Sequence, residues 1–352
     1  MWPYFALLGL LLTGALLTPP DLRRVKPIGF ALLLGALVVM LFVGLRNHIG
    51  TDWPTYERQW NAAGDLPLPQ LMERYGGDVG FYVLMWSLAN VGVGFWVLNL
   101  VCAAIFTWGL FAFAKRLPNP WLAVAVAFPY LVVAIAMSST RQATAMGFIF
   151  LAVIAFSKRQ TSKFLGWSAL AALFHASAIV TVPFAGLSFA RNKFQAFLIG
   201  VCVVIIGWFT LGSSFETYTL RYTAPSMQSV GLLYRVAMSA VAAVLYFLVI
   251  RRNLALEEHE QTLWRNYALF ALAAVVLAAV FPTSTALDRT LIYLFPMQIF
   301  VLSMVPYVFQ RGTHPALVIL GLLPYLVAIM AVFLSYGVNA PSYIPYKMYW
   351  PG

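Results

Sequence analysis

Apolar runs of about 20 residues recur along this chain, and they constrain its fold more than any other feature. Inside lipid, backbone N–H and C=O groups must bond to one another, and an α-helix satisfies them within one segment. The chain has 352 residues, of which 62% are hydrophobic and 9% are charged. That length leaves room for about ten such helices and for no sizeable soluble domain. We therefore predict an all-α polytopic membrane protein, a single transmembrane domain over residues 1–352 with additional short interfacial or re-entrant helices.

Basic residues at the ends of the apolar runs indicate how the chain crosses the membrane. Lysine and arginine collect on the cytoplasmic side of membrane proteins, and this rule makes residues 46–78 and 212–232 outer loops. Residues 79–91 are apolar but too short to span, so we expect a half-helix there. Full spans are expected over about 2–18, 28–45, 93–114, 120–138, 141–157, 195–211, 233–250, 264–281, 290–309 and 315–336.

The stretch 164–189 permits two interpretations, because basic residues flank both of its ends. Two half-helices that dip into the membrane and return would keep both flanks cytoplasmic and would bring His175 near the turn. A single crossing would invert the orientation of everything downstream. The later spans favour the dip.

Residues 46–78 form the longest polar stretch between apolar runs. They hold five of the eleven acidic residues, namely Asp52, Glu57, Asp65, Glu73 and Asp78. Pro67 and Pro69 exclude one long helix, so short interfacial helices are expected over 52–63 and 69–75. A solvated connection between two helices is the simplest interpretation. Arginines and an aspartate at the same end of later helices point instead to a functional site.

The outer side of this topology is rich in arginine. Of the 22 lysines and arginines, fourteen lie inside and eight outside. Seven of the outer eight are arginines: Arg46, Arg58, Arg74, Arg141, Arg221, Arg235 and Arg289. Arginine offers a planar fork of donors that suits phosphate, whereas topology requires only charge. The alternative is that these arginines pair with the outer carboxylates Asp52, Glu73, Asp78 and Asp288.

Several short motifs follow one another in a characteristic order. They are GTDWPTY at 50–56, DVGFYVL at 78–84, SSTRQATAMGFIFLAV at 138–153 and ALFHASAIVTVP at 172–183. Together they resemble the EpsG-like branch of the Wzy-type polysaccharide polymerases of bacterial envelopes. The resemblance is closest over about residues 40–190 and looser in DRTLIYLF at 288–295 and the terminal PSYIPYKMY. Asp78 stands where a glutamate is commoner in the family, which keeps a carboxylate but shortens its reach.

This resemblance implies a glycosyltransferase with a GT-C-like architecture in the bacterial inner membrane, active on the periplasmic face. Such an enzyme transfers a growing glycan from undecaprenyl pyrophosphate onto a lipid-linked repeat unit. The implied partners are the undecaprenyl-pyrophosphate-linked oligosaccharide, membrane lipids, a chain-length regulator and a flippase. The net charge of +11 does not indicate nucleic acid, because the basic residues are scattered over helix ends.

That reaction needs a base near the attacking hydroxyl. Asp52 is the leading candidate, with Asp78 and His175 as the other catalytic candidates. Asp52 and Asp78 could instead cap the helices that follow them. A lone histidine in an apolar segment is often a satisfied core residue, although ionisable groups at membrane depth usually face a cavity. Aromatic rings that could stack on sugars are provided by Trp53, Tyr56 and Tyr222.

The leaving pyrophosphate needs positive charge and hydrogen-bond donors. Arg141 begins a helix after three hydroxyl residues, a position that suits a phosphate oxygen. Arg46, Arg221, Arg235 and Arg289 are the further candidates, although Asp288 and Arg289 could satisfy one another. We predict no metal site and no cofactor, since carboxylates and histidines lack ligand-like spacing apart from Asp52 with His48.

Two other functions fit the composition. A flippase or other transporter of lipid-linked oligosaccharides would carry its arginines at mid-membrane and show internal repeats. This sequence has its arginines at helix ends and no visible repeat. An O-antigen-ligase-like or single-sugar transferase would use the same carrier, and only the resemblance favours polymerisation over it.

Overall fold

A computed structural model describes residues 1–18, 29–182, 231–282, 284–308 and 314–350 of the chain. In this part of the chain we number the helices α1 (Trp2–Leu17), α2 (Phe30–Gly44), α3 (Trp53–Asp65), α4 (Leu68–Tyr75), α5 (Val79–Val91), α6 (Phe95–Ala114), α7 (Pro120–Ala136), α8 (Thr140–Ser157), α9 (Thr161–Phe174), α10 (Leu232–Asn253), α11 (Glu258–Val280), α12 (Leu287–Val308) and α13 (Pro315–Tyr336).

Among the described residues, six helices are long and apolar enough to cross a membrane: α6, α8 and α10 to α13. Shorter apolar helices accompany them, namely α1, α2, α5 and α7. The described residues contain no β-strand beyond one isolated antiparallel bridge between Arg46 and Met348. These features confirm the prediction of an all-α polytopic membrane protein.

Helix α8 lies at the centre of the bundle and packs against α6 on one side and α9 on the other. Its contact with α6 requires two glycines. A Cβ atom added at Gly109 would collide with the backbone of Gly147, and one added at Gly147 would lie 2.6 Å from the carbonyl oxygen of Ile105. Small residues at such crossings let membrane helices approach closely. Nearly all side chains of α8 are buried, whereas few side chains of α13 are.

The polar connection after α2 folds into α3 and α4, close to the predicted segments 52–63 and 69–75. Each helix has a proline in its first turn, where the missing N–H costs no hydrogen bond. The buried face of α3 includes Trp53 and Tyr56 and packs against α5. Helix α5 matches the predicted half-helix 79–91 and ends at Gly92, whose φ of 83° favours glycine.

The predicted segment 164–189 is described only as far as residue 182. Helix α9 ends at Phe174, and a short 3₁₀ turn, Ala176–Val180, follows His175. His175 thus lies at a break between two helical pieces, where the dipping arrangement expects a turn, and not inside a continuous helix. The return half of that arrangement, the predicted span 195–211 and nearly all of the loop 212–232 lie outside the described residues.

Candidate functional site

Asp78 is the centre of a buried polar cluster that joins three helices. Arg141 donates from Nη1 to Asp78 Oδ2 at 2.9 Å, and His175 Nδ1 lies 3.1 Å from the same oxygen. The backbone N–H of Ala176 donates to Oδ1 at 3.1 Å. Only 3% of the Asp78 side chain is exposed. A carboxylate this deeply buried needs partners, and these three provide them.

The backbone on either side of Asp78 explains why its carboxylate faces across the bundle. Gly76 and Gly77 have φ of 53° and 88°, a conformation that other residues rarely adopt. They turn the chain between α4 and α5. Asp78 then occupies the N-cap position of α5, yet its side chain makes no capping hydrogen bond. The capping interpretation of Asp78 is therefore wrong, because the carboxylate is used by Arg141, His175 and Ala176 instead.

His175 reaches the cluster because α9 stops one residue before it. Its backbone is extended, with φ of −157° and ψ of 113°, and its side chain is largely buried. With Nδ1 beside Asp78, the imidazole directs Nε2 away from that carboxylate. No hydrogen bond to Nε2 occurs among the described residues. His175 is thus a histidine oriented by a carboxylate, an arrangement that general bases use.

Arg141 lies at the start of α8 in a largely aromatic environment. Its Nε atom lies 3.4 Å from the hydroxyl of Tyr56, and Nη1 lies 3.5 Å from that of Tyr82. The guanidinium carbon is 5.6 Å from the ring centroid of Tyr56 and 5.9 Å from that of Phe81. The side chain is 25% exposed, and Nη2 makes no hydrogen bond with any described residue. Arg141 therefore keeps donor capacity for a ligand.

The charges in this cluster influence one another. Burial alone would raise the pKa of Asp78, but the hydrogen bond from His175 and the charge of the Arg141 guanidinium outweigh that effect. The pKa of Asp78 therefore lies below its ordinary value, and the group is a carboxylate at neutral pH. Burial raises the pKa of the Tyr56 phenol, while the charge of Arg141 opposes that rise. Tyr56 therefore remains a neutral hydroxyl.

Asp52 lies beside the turn that leads into α8. Ser139 donates from Oγ to Asp52 Oδ2 at 3.2 Å, and the hydroxyls of Thr51 and Ser138 are 2.8 Å apart. The Asp52 side chain is half-buried and makes no capping hydrogen bond to α3. The structure thus excludes the side-chain cap that the sequence offered as an alternative. Its negative charge also acts on the Tyr56 hydroxyl, which places Asp52 near the Arg141 cluster.

Arg46 is near the same turn but has a closed environment. It donates to the carbonyl oxygens of Val43 and Met137 at 2.7 and 2.8 Å, and to Asn99 Oδ1 and Thr140 Oγ1 at 3.1 and 2.8 Å. Only 1% of the residue is exposed, and burial lowers the pKa of Arg46 to about 10. This geometry favours a structural role over the predicted contact with pyrophosphate.

Trp53 is also enclosed by protein. Its ring packs against Phe95 and His48 at centroid distances of 5.0 and 5.5 Å, and the Arg46 guanidinium lies over it at 5.8 Å. Only 6% of Trp53 is exposed. Its contacts therefore favour a packing role over the predicted stacking on a sugar. Tyr56 is buried as well, but its hydroxyl faces Arg141.

A second ion pair joins α10 and α12. Arg235 Nη1 is 2.6 Å from Asp288 Oδ2 and also donates to the Asp288 carbonyl oxygen at 3.0 Å. Its Nε donates to the Tyr130 hydroxyl. The suggestion that Asp288 and Arg289 satisfy one another is therefore wrong for Asp288, whose partner is Arg235. The carbonyl oxygen of Arg289 accepts from Gln142 Nε2 at 2.9 Å.

Several residues of the site were not identified from the sequence. Tyr82 follows Asp78 by four residues, one turn along α5, so the helical period could have revealed it. Gln142, Ser177 and Tyr293 carry no comparable signal, because they come together through the packing of α8, the 3₁₀ turn after His175, and α12. The Ser177 and Tyr293 hydroxyl oxygens are 3.5 Å apart. Arg221 and Tyr222 lie outside the described residues.

Metal ligands are not clustered in the described part of the chain. No group of three histidine, cysteine, aspartate or glutamate side chains there could hold a metal ion. The cationic group nearest to Asp78 is instead the Arg141 guanidinium.

Comparison with known proteins identifies the family. The family model described as the EpsG family matches residues 30–348, nearly the whole chain. Comparison with curated proteins gives no significant match, and comparison with solved structures gives none either. The match includes every residue of the Asp78 cluster, the connection that carries Asp52, and the second ion pair. The chain belongs to the EpsG family, a family of Wzy-like polysaccharide polymerases of the membrane.

Proposed function

We propose that this protein is a polysaccharide polymerase that uses undecaprenyl pyrophosphate as its carrier at the outer face of the bacterial inner membrane. It transfers the growing glycan onto the lipid-linked repeat unit next to be added. The family supports polymerisation in general terms. The proposal for carrier and chemistry rests on one observation: Arg141, which is partly exposed and whose Nη2 has no partner among the described residues, lies beside a histidine oriented by Asp78.

In the proposed reaction, a hydroxyl oxygen of the acceptor sugar attacks the anomeric carbon of the donor glycan. A new C–O bond forms, the bond from that carbon to the pyrophosphate oxygen breaks, and undecaprenyl pyrophosphate leaves with the electron pair. The hydroxyl proton passes to a base. Arg141 stabilises the charge that develops on the leaving pyrophosphate, through Nη2 and the exposed edge of its fork.

We assign the base to His175 Nε2. The Nδ1–H group donates to Asp78, so Nε2 carries the lone pair, and the carboxylate stabilises the imidazolium that forms. Asp78 itself is a poor base, because its pKa is lowered and its oxygens already accept three hydrogen bonds. Asp52 was the leading candidate from the sequence. Without a comparable orienting partner among the described residues, it becomes the second candidate.

Asp78 then has a coupling role. One of its oxygens contacts both Arg141, the proposed pyrophosphate ligand, and His175, the proposed base. The carboxylate therefore fixes the distance between the leaving group and the attacking hydroxyl. Holding reacting groups in such a geometry is itself a large part of catalysis.

The experiment is extension of lipid-linked repeat units by the purified full-length protein in lipid nanodiscs. The wild type should produce a ladder of longer lipid-linked glycans and release undecaprenyl pyrophosphate. Arg141→Lys keeps the charge but loses the fork, so its rate should fall at least about tenfold. Arg58→Lys is the matched control, because Arg58 is an exposed arginine of the same polar connection.

Two outcomes would contradict the proposal. An inert wild type with intact substrates would refute polymerisation on this carrier. Equal rates for Arg141→Lys and wild type would remove Arg141 from the pyrophosphate site. Movement of substrate across the bilayer without any new glycosidic bond would support the transporter alternative instead.

A further inference from the structure

The residues after α13 form a strap that we define as residues 338–350. The strap pairs with the connection that follows α2. Tyr349 N–H donates to the Leu45 carbonyl oxygen at 2.6 Å, and Asn47 N–H donates to that of Lys347 at 2.9 Å. These bonds flank the antiparallel bridge between Arg46 and Met348. Backbone hydrogen bonds thus join the strap to the connection that follows α2.

Tyrosine hydroxyls anchor the strap to three different helices. Tyr343 donates to the Ala134 carbonyl oxygen of α7 at 2.9 Å, and Tyr346 donates to that of Phe42 in α2 at 3.0 Å. Tyr4 of α1 donates to the carbonyl oxygen of Tyr343 at 2.7 Å. The Tyr346 ring also stacks on Phe42 with centroids 4.4 Å apart. Displacement of the strap would break all of these contacts, so they hold it in place against the helices.

The connection held by the strap contacts the turn that precedes Arg141 at every residue from Met137 to Thr140. Arg46 donates to Met137 and Thr140, Thr51 bonds to Ser138, and Asp52 accepts from Ser139.

Gly50 lies at the centre of this contact. Its N–H donates to the Ser342 carbonyl oxygen of the strap at 2.9 Å. Its φ is 98°, and a Cβ there would collide with the carbonyl oxygen of Met137.

We propose that the strap is a positioning element of the catalytic site. It holds the 45–52 connection against the 137–140 turn. In this way it orients the side chain of Arg141 at the start of α8. It also fixes Asp52 beside that turn. This inference rests on the proposed function, since it assigns the strap to the same site. It predicts that catalysis depends on a segment that touches neither Asp78 nor His175 in the described structure.

The test weakens the pairing and then restores it in the same molecule. Tyr349→Pro removes the N–H that bonds to Leu45, while Tyr349→Phe keeps it and keeps a ring against Trp96. Asn47→Cys and Lys347→Cys then add a removable link. Residues 47 and 347 are directly opposed across the bridge, where Cα atoms lie about 5.5 Å apart, within disulfide range. Both native cysteines, Cys102 and Cys202, are replaced in all of these variants, so that the only disulfide that can form is the introduced one.

We expect Tyr349→Pro to lower kcat at least about tenfold in the reduced protein, with a smaller change in KM. Tyr349→Phe should stay within about twofold of wild type. Oxidation of the Tyr349→Pro, Asn47→Cys, Lys347→Cys protein should restore kcat, and reduction should lower it again. Irreversible misfolding does not explain a loss that oxidation reverses in the same sample.

Three results would overturn the proposal. Full activity of reduced Tyr349→Pro would make the pairing dispensable, and failure of oxidation to restore kcat would place the defect elsewhere. Inhibition of the otherwise wild-type protein by the cross-link would mean that the strap must open.

Hydrogen exchange separates this proposal from the polymerase assignment. Exchange at residues 45–52 and 137–141 should rise in Tyr349→Pro and fall on oxidation, whether or not the protein polymerises. Unchanged exchange at 137–141 would refute the strap proposal even in a fully active enzyme.

Discussion

Arg46 and Arg141 both lie next to one turn, residues 137–140. Arg46 follows the apolar helix α2, and Arg141 lies in the first turn of the apolar helix α8. Among the described residues, the side chain of Arg46 bonds to neutral oxygens, from Val43, Met137, Asn99 and Thr140, and it is buried. Arg141 bonds to the carboxylate of Asp78 and keeps an exposed edge without a partner among the described residues. The first arginine has its donors satisfied by the protein. The second has an Nη2 group without a partner among the described residues. Position at a helix end therefore does not by itself identify a ligand-binding arginine.

The same contrast holds for the two buried ion pairs. Asp288 pairs with Arg235, whose Nη1 contacts it twice and whose Nε bonds to Tyr130. Asp78 divides its bonds between an arginine, a histidine and a backbone N–H. A carboxylate shared between a cation and a titratable ring can link two chemical roles. A carboxylate whose only charged partner is one arginine serves chiefly to hold two helices together.

The largest effect should come from the histidine. His175→Asn keeps a side-chain N–H near the position of Nδ1, so it preserves a donor to Asp78 but removes the basic Nε2. We expect kcat to fall by about 10²–10⁴-fold, the usual worth of a positioned base, with little change in melting temperature. The measurement is the extension assay with thermal unfolding in parallel. A variant that polymerises at the wild-type rate would remove His175 from the chemistry.

The next largest effect is on the thermal stability of the protein, and it tests the difference between Arg46 and Arg141. Arg46→Met leaves four buried acceptors without their donor, and each such loss costs about 1–3 kcal/mol. We expect a clear drop in melting temperature. Arg58→Met is the control, because Arg58 is exposed and should barely change it. An Arg46→Met protein that melts like the wild type but has lost turnover would assign Arg46 to the active site.

A smaller effect is expected at Asp52. Asn can still accept from Ser139, so Asp52→Asn should reduce turnover by less than about tenfold if His175 is the base. Asp65→Asn, an exposed carboxylate at the end of α3, provides the baseline. A drop of about 10²-fold or more in Asp52→Asn, with His175→Asn near normal, would return the base to Asp52.

The smallest effect concerns pH. The pKa of Asp78 lies below its ordinary value of 3.8 in the folded protein, so its ion pair contributes stability in full above that value. The contribution is lost as the pH falls through the lowered pKa. The difference in melting temperature between wild type and Asp78→Asn should therefore be present at about pH 5 and shrink below about pH 4. A difference that vanishes near neutral pH would show that Asp78 is not a carboxylate there.

Much of the fold was predictable because hydropathy and helix breakers act locally. The half-helix 79–91 and the span 315–336 agree with α5 and α13 at both ends. The short helices after α2 agree with the segments predicted from the positions of Pro67 and Pro69. The break at His175 was predicted only as one of two alternatives, because ALFHASAIV contains no glycine or proline to enforce it.

The site was less predictable, since its contacts join residues far apart in the chain. Asp78 and His175 are 97 residues apart, and Arg235 and Asp288 are 53 apart. Asp52 and Asp78 look alike in the sequence, each beginning a short helix. Only packing decides that Asp78 meets Arg141 and His175, and that Arg46 is sealed while Arg141 is not. The sequence therefore indicated candidate residues one at a time, but not which of them contact one another.

The most direct test of this account is the dissociation constant for undecaprenyl pyrophosphate, measured with protein in nanodiscs for wild type, Arg141→Lys and Arg235→Lys. The account predicts that Arg141→Lys binds at least about tenfold more weakly, equal to about 1.4 kcal/mol, because the planar fork is lost. Arg235→Lys should stay within about twofold, since that arginine is occupied by Asp288 and Tyr130. Wild-type affinity in Arg141→Lys, with weakened binding in Arg235→Lys, would contradict the account.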